Sequence, residues 1–145
     1  MEKIMIKLSD KKGQAVAEFV LLSGVFLMVT MGMIDYGMYL FTKYNFENAV
    51  RNGARTAVKM RNWSANQVEN TQKIKDSIVY DCNRLPTTWK SGLANNVIVI
   101  FSPDVNNINY IQVKIDNYKY TSITGFVDLC IPSTLNAQAS MRYTY

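Results

Sequence analysis

Histidine is absent from these 145 residues, and cysteine and proline are scarce, at two and three residues. The absence of histidine removes the commonest general base and the commonest metal ligand of proteins. The sequence also lacks a Cys-x-x-Cys pair, a glycine-rich phosphate loop and a Gly-x-Ser-x-Gly turn. We therefore expect no enzyme, no catalytic residue, no metal, no cofactor and no small-molecule substrate.

Positive charge is concentrated at the start of the chain, although the net charge is only +5. The first thirteen residues hold four lysines against two acidic residues, which are Lys3, Lys7, Lys11, Lys12, Glu2 and Asp10. A nucleic-acid interface needs a clustered basic face on a folded domain, so we expect no nucleic-acid partner. Basic residues beside an apolar segment favour retention of that end in the cytoplasm.

Charge is missing altogether from Phe19 to Ile34, and Asp35 ends this run. The twenty residues from Ala15 to Ile34 contain a single charged side chain, Glu18. Twenty apolar residues are about the length that a helix needs to cross a bilayer. The sequence thus predicts a single-pass protein of the inner (cytoplasmic) membrane, spanning at about residues 15–34. The N-terminus is expected in the cytoplasm, and residues after about 40 outside it.

Three kinds of N-terminal signal would begin this way. A cleaved secretory signal peptide needs a small-x-small site after its apolar core, but Ala15 and Ala17 precede the core here. The second kind is an uncleaved signal anchor. The third is a basic leader, residues 1–13, cut after Gly13, with the apolar run kept in the mature chain. Gly13 would let the chain leave helix geometry where a protease binds.

Spacing favours the third kind. After such a cut, Gln14 is the first residue and Glu18 the fifth, an order that resembles the leaders of type IV pilins. A carboxylate within a membrane helix costs roughly 2.5–3.5 kcal/mol and needs a partner. The resemblance implies that this partner is the α-amino group of a neighbouring subunit. Alternatively, Glu18 simply reaches the lipid headgroups.

The helical pattern continues beyond the membrane run, and no proline interrupts Gln14 to Arg61. We predict one helix over residues 14–62. Its second half carries a stripe of small and apolar residues at helical spacing, which should pack on a globular domain. These are Phe46, Ala49, Val50, Gly53, Ala54, Ala57 and Val58. Aromatic residues at the exit from the run suit the membrane interface, namely Tyr36, Tyr39, Phe41 and Tyr44.

Three motifs occur in order along this helix: GQAVAEF from Gly13 to Phe19, IDYG from Ile34 to Gly37, and NAVRNGAR from Asn48 to Arg55. Together they resemble TadE-like proteins, the pilin-related minor subunits of tight-adherence (Flp-type) type IV pilus systems. The resemblance implies a minor pilin or pseudopilin that takes part in pilus assembly. It also implies its partners, which are other pilin subunits, a prepilin peptidase, and an inner-membrane assembly platform with its ATPase.

The resemblance singles out several residues. It implies subunit assembly through Glu18 and Phe19, and motif roles for Asp35, Gly37, Asn48, Gly53 and Arg55. Arg51 and Arg55 either form a solvated helix face, which we favour, or contact neighbouring subunits. Gly53 is expected to allow close packing of the helix on a sheet. Asp35 either lies at the membrane interface or pairs with a basic group.

Residues 63–145 read as an extracytoplasmic α+β domain. A capping box of Ser64 and Gln67 predicts the start of a second helix, which Pro86 ends. We interpret residues 86–96 as a loop. Cys82 and Cys130 suggest one disulfide outside the cytoplasm, although two unpaired core thiols are the alternative.

Strand patterns fill the rest of this domain. Val97–Phe101 is a continuous apolar run typical of a central strand, and Tyr110–Ile115 alternates. Asp116 and Asn117 look like a turn, and residues 118–123 would form an additional strand after it. The alternation from Leu135 to Tyr145 predicts a half-buried strand. We expect three to four antiparallel strands packed on the long helix, as in type IV pilins.

Two functions therefore compete. One is a structural pilus subunit processed after Gly13, and the other is an uncleaved membrane-anchored binding or scaffold module. N-terminal sequencing separates them, because a mature chain begins at Gln14 in the first case and at Met1 in the second.

Overall fold

The computed structural model describes residues 11–60, 63, 65–103, 109–125 and 131–143, with side chains from residue 13 except at Pro103. The described elements come in the order α1 (Lys11–Lys59), α2 (Gln67–Asp81), a 3₁₀ turn (Cys82–Arg84), α3 (Thr87–Lys90), α4 (Leu93–Asn96), β1 (Val97–Pro103), β2 (Asn109–Lys119) and β3 (Thr134–Tyr143). This order of a long helix, a shorter helix and an antiparallel sheet confirms the α+β prediction.

The long helix α1 runs without a break for 49 residues. At 1.5 Å per residue it is roughly 73 Å long. It begins at Lys11 and ends at Lys59, so Gly13 lies inside the helix and does not end it. Gly13 is thus helical in the free chain, and the expectation that it lets the chain leave helix geometry where a protease binds stays a prediction.

The predicted small-residue stripe of α1 forms its contact with the rest of the domain. Phe46, Val50, Ala54 and Ala57 are almost fully buried. Small side chains let α2 and the sheet approach the helix closely, and apolar ones remove surface from water. The second half of α1 is thus the centre of the core, and strand β3 and helix α2 cover it.

Helix α2 begins later than its capping box predicts. Asn66 is the N-cap residue and makes no side-chain cap hydrogen bond, while Ser64 lies outside the described residues. The buried Trp63 precedes this start, and its indole N–H donates to the Ala57 carbonyl at 3.0 Å. That bond holds the connection against the end of α1. The predicted apolar face of α2 is correct, with Ile74 and Ile78 buried.

The segment after Pro86 is not an irregular loop as predicted. It forms two single helical turns, α3 and α4, which Gly92 separates at a φ of 74°. Trp89 and Leu93, one from each turn, are buried in the core. These two side chains account for the order of the segment, which its turn-forming residues alone did not reveal.

The sheet has the order β1-β2-β3, and both strand pairs are antiparallel. Strand β1 was predicted to be central but lies at the edge, with β2 in the middle. Only one face of its apolar run packs on the core, because Ile98 and Ile100 are 39% and 37% exposed. A continuous apolar run does not by itself distinguish a central strand from an edge strand that packs on one face.

Asp116 and Asn117 form a bulge in β2, not the predicted turn. The register with β3 shifts between Ile115 and Tyr118, and Asn117 has a φ of 51°. The Asn136 side chain stabilises the bulge by accepting a hydrogen bond from the Asn117 amide at 2.7 Å. Strand β2 therefore continues to Lys119, and the described residues contain three strands.

The final strand confirms its predicted alternation. Leu135, Ala137 and Tyr143 are buried, and the polar residues between them face outward. Strand β3 starts at Thr134 and is described to Tyr143, so the last two residues of the prediction lie outside the described part.

Candidate assembly and membrane-interface site

The first half of α1 carries an apolar surface that the rest of the described chain does not cover. Large side chains are exposed on all sides from Val16 to Ile34, including Phe19 at 70%. α1 is the one helix, among the described residues, that is long and apolar enough to cross a membrane. The single long apolar segment indicates a single-pass membrane anchor.

The predicted processing and assembly residues lie together at the start of this surface. A Cβ atom added to Gly13 would find no heavy atom within 4 Å. Gln14 and Glu18 lie one turn apart, and the Gln14 side-chain amide donates to a Glu18 carboxylate oxygen at 3.1 Å. Both are exposed, so the site is open to a partner.

Asp35 lies where the exposed half of α1 meets the buried half, and it is completely buried. One carboxylate oxygen accepts hydrogen bonds from the Ile123 amide at 3.1 Å and the Thr124 amide at 3.0 Å. The other oxygen accepts a hydrogen bond from the Thr124 hydroxyl. Asp35 thus fixes the loop after β2, residues 121–125, to the helix.

These hydrogen bonds also control the ionisation of Asp35. Burial alone would raise the pKa of this carboxyl group, but the bonds from Thr124 and Ile123 outweigh burial and leave its pKa below the usual value. The carboxylate is therefore charged at neutral pH, with its charge satisfied by backbone and hydroxyl donors.

The Asp35 geometry bears on one of the two alternatives that the sequence left open. Among the described residues its partners are Ile123 and Thr124, and none is a basic side chain, while its placement at the membrane interface stays a prediction. Sequence reasoning missed Thr124. The available signal was weak, a Ser/Thr/Gly-rich stretch over residues 121–125 that is typical of loops offering free N–H donors.

The rest of the IDYG motif and the aromatic residues near it divide between two environments. A Cβ atom added to Gly37 would meet nothing within 4 Å, so the fold of this chain does not require glycine there. Tyr36, Phe41 and Tyr44 are exposed as an interface role requires. The expectation for Tyr39 is wrong, because it is buried and packs edge-to-face on Tyr120 at 5.4 Å between ring centroids.

Gly53 in the third motif allows close packing, but against a helix and not against the sheet. A Cβ atom at this position would lie 2.8 Å from Ile78 Cγ1 and 2.9 Å from Ile78 Cδ1. Ile78 belongs to α2 and is fully buried. The NAVRNGAR motif therefore includes a point of close contact between α1 and α2.

The polar residues of the same motif lie beside that contact or on the exposed face of α1. Asn48 lines an open groove of about 650 Å³ between α1 and the end of α2, and Asn52 on its wall donates to Asp81 at 3.2 Å. Arg51 forms an exposed ion pair with Glu47 at 3.7 Å. Arg55 is exposed too. A solvated arginine face is consistent with this geometry.

Cys82 is buried at the end of α2, and burial raises the pKa of its thiol to about 12. A second cause is the negative charge of the adjacent Asp81. Cys130 lies outside the described residues, so the Cys82–Cys130 disulfide stays a prediction. Over the part of the chain that the structure describes, no group of three or more acidic or cysteine residues is arranged to hold a metal ion.

Comparison with known proteins places the match on the long helix. No curated protein and no solved structure matches this chain. A family model does match, over residues 13–55, and its description is TadE-like protein. The matched range includes all three motifs, from Gly13 to Arg55, and omits the sheet. The resemblance drawn from those motifs is thereby confirmed: residues 13–55, within α1, are similar to TadE-like proteins.

Proposed function

We propose that this chain is a structural subunit of a Tad/Flp-type type IV pilus system, acting as a minor pilin or pseudopilin in pilus assembly. One observation carries the proposal. The TadE-like match covers a helix whose first half is apolar and exposed on all sides while its second half is buried in a small domain. Such a helix can be inserted in lipid first and packed among other helices afterwards.

The proposed topology follows from the order of charges along the chain. Residues 15–34 span the cytoplasmic membrane once, and the lysine-rich residues before them stay inside the cell. The domain of residues 63–145 then lies outside the cytoplasm. In this arrangement the apolar surface of α1 is covered by lipid before assembly and by neighbouring subunits afterwards.

Processing after Gly13 supplies the missing partner of Glu18. Within one chain, the Glu18 carboxylate has only the neutral Gln14 amide beside it, among the described contacts. Cleavage makes Gln14 the first residue and gives it a positively charged amine. We propose that this amine pairs with Glu18 of a neighbouring subunit, offsetting the roughly 2.5–3.5 kcal/mol cost of a carboxylate in the membrane.

The partners follow from the same proposal. A prepilin peptidase removes residues 1–13, and an inner-membrane platform with its ATPase draws the subunit towards other pilins. The open space around Gly13 supports the first step, because glycine there is not needed for packing inside the chain. A need for a small residue at this position would come from the peptidase.

N-terminal sequencing of membrane-extracted protein tests the processing step. The mature chain is expected to begin at Gln14, and Gly13→Leu is expected to abolish cleavage. Gly24→Leu is the matched control, because Gly24 also lies on α1 with nothing within 4 Å of an added Cβ atom. Equal cleavage of the Gly13→Leu and Gly24→Leu variants would rule out recognition of Gly13.

The pairing of Glu18 needs a separate test. Glu18→Ala is expected to be cleaved normally but to enter assembled filaments at a much lower level than the wild-type chain. Ser23→Ala is the control, since Ser23 is on the same helix and its hydroxyl donates to the Val20 carbonyl of that helix. Normal incorporation of Glu18→Ala would refute the pairing with a neighbouring amine.

An uncleaved membrane-anchored module is the second candidate. The observation that favours it is the continuity of α1 through Gly13 back to Lys11, which leaves no extended segment at the proposed cleavage site. Mature protein that still begins at Met1 would establish this alternative, and the anchor would then be permanent.

A further inference from the structure

We propose that the loop 121–125 rests on the outer surface of the bilayer, with Ile123 in the boundary between headgroups and acyl chains. The partner is thus a lipid surface, and the contact is made by the C-terminal domain in addition to the spanning helix. The inference rests on the proposed function in one respect, which is that residues 15–34 span the membrane.

The height of the loop above the membrane follows from its bonds to Asp35. Asp35 comes directly after Ile34, the last residue of the charge-free run, so it lies about 1.5 Å further along the helix axis. The amides of Ile123 and Thr124 lie 3.1 and 3.0 Å from the Asp35 carboxylate. The hydrocarbon core of a bilayer is followed by a headgroup layer of roughly 5–8 Å on each side. The loop backbone therefore lies at the depth of the headgroups.

The loop and its surroundings have the chemistry of that layer. The Ile123 side chain is 57% exposed, although it is a large aliphatic residue in a short loop. A small cavity of about 310 Å³ beside it is lined mainly by apolar atoms of Pro86, Trp89 and Ile123. The Trp89 indole N–H donates to the Thr121 carbonyl at 2.9 Å and keeps the loop in place. Exposed Tyr36 adds an aromatic ring on α1 at the same level.

Charge does not oppose this placement. The loop sequence, Thr-Ser-Ile-Thr-Gly from residue 121 to 125, contains no ionisable side chain. The one carboxylate beneath it, Asp35, already accepts three hydrogen bonds from the loop. Moving the loop from water to the headgroup layer therefore exposes no unpaired charge to a less polar medium.

A lipid surface fits this patch better than a protein partner does. One exposed isoleucine beside a small cavity falls far short of the roughly 800 Å² per partner that a stable protein interface buries. Asp35, which holds the loop, also directly follows Ile34 at the end of the exposed apolar span. A bilayer that surrounds the span necessarily reaches the same level as the loop.

Site-specific photo-crosslinking in the full chain tests the inference. The protein is reconstituted in phosphatidylcholine vesicles, and Ile123 is replaced by a diazirine-bearing residue. The matched control is Val68, an aliphatic residue that is 87% exposed at the start of α2. Helix α2 runs back along α1, with Ile78 at Gly53 and Asp81 at Asn52, so Val68 lies at the end of the domain far from the span. Leu22 within the span is the positive control.

We expect roughly tenfold more lipid adduct at position 123 than at position 68, as for a side chain held at the interface and one held in water. Similar yields at these two positions would overturn the inference, and so would adducts to protein in place of lipid at position 123. A lack of lipid adducts at position 22 would instead overturn the spanning helix itself, and with it the proposed function. Ile123 is exposed, so its replacement leaves the core intact.

Discussion

The two halves of α1 both carry apolar surface, and they belong to one unbroken helix, yet the described chain buries the apolar surface of only one of them. From Phe46 to Ala57 the inward positions are at most 1% exposed, whereas from Val16 to Ile34 large side chains are exposed on every side. The difference lies in the pattern. The second half has a stripe that one domain can cover, and the first half is apolar all round, which requires lipid or several neighbouring helices.

Glycines show the same contrast at single positions. Gly53, in the buried half, leaves the space that Ile78 of α2 fills. Gly24, Gly32 and Gly37 have no atom within 4 Å of an added Cβ. Glycine inside a helix costs roughly 0.5–1 kcal/mol relative to alanine. Close packing against Ile78 offsets that cost at Gly53, whereas no described contact within the monomer offsets it at the other three glycines.

The largest expected difference between the halves concerns aliphatic side chains. Ile78→Ala removes a fully buried side chain from the α1–α2 contact, so we expect it to lower the free energy of unfolding by about 2–5 kcal/mol. Leu22→Ala, on the exposed half, should change it by less than about 0.5 kcal/mol. Denaturant unfolding of the full chain in detergent micelles measures both. Comparable losses would show that the span contributes to the domain core.

Asp35 joins the two halves and should give the next largest effect. Asp35→Ala leaves the amides of Ile123 and Thr124 without their acceptor. We expect the free energy of unfolding to fall by about 2–4 kcal/mol, because the two donors are unpaired and the loop is released from the helix. Asp35→Asn keeps an acceptor and should lose less. Hydrogen exchange at these two amides measures directly how well the loop is held. Unchanged protection in Asp35→Ala would mean that the carboxylate does not fix the loop.

Asp35 also predicts how stability depends on pH. Its pKa is lowered in the folded state, so its contribution is complete above the ordinary carboxyl pKa of about 4 and is lost as the pH falls through the folded value. Melting temperatures measured from neutral pH to about pH 2 should fall less steeply in Asp35→Asn than in the wild-type chain. Parallel curves for the two proteins would contradict this assignment.

Gly53 and Gly37 provide a matched pair of intermediate size. Gly53→Ala puts a methyl group within 3 Å of Ile78, and we expect a net destabilisation of about 1–3 kcal/mol. Gly37→Ala meets no atom and should be neutral or stabilising by up to about 1 kcal/mol. Unfolding of both variants, with the Gly53→Ala/Ile78→Ala double variant, shows whether the clash is with Ile78. Strict additivity of the double variant would mean that it is not.

The smallest effect is expected on the polar face of the buried half. Arg51 and Glu47 form an exposed ion pair, and such pairs contribute about 0–1 kcal/mol. Arg51→Ala should therefore leave domain stability within about 0.5 kcal/mol of the wild-type value. A normal melting temperature combined with poor filament incorporation would favour the alternative in which these arginines contact neighbouring subunits.

The features that follow from local pattern were predictable from the sequence. The helix without proline, the stripe from Phe46 to Ala57 and the alternation of β3 depend on periodicity, which a single sequence shows. The TadE-like motifs likewise lie in one continuous segment, from Gly13 to Arg55. Each of these features involves residues that are close along the chain.

The features that were missed depend on contacts between distant residues. The partners of Asp35 are 88 and 89 positions away, and no local pattern connects them. Tyr39 is buried and not exposed as predicted, because Tyr120 packs against it. The bulge at Asn117 depends on Asn136 in the next strand. Asp116 and Asn117 were recognised as turn-forming residues, but whether they would end a strand or bend it depended on tertiary packing.

The bonds between Asp35 and the loop have a mechanical consequence. A force that draws the helix along its axis enters the domain at two points, through α1 itself and through the loop that follows β2. Because β2 is the middle strand, this second route carries tension into the centre of the sheet and not into an edge. The domain is thereby attached to the membrane helix at two places, so a force on that helix moves the second half of α1 and the sheet together.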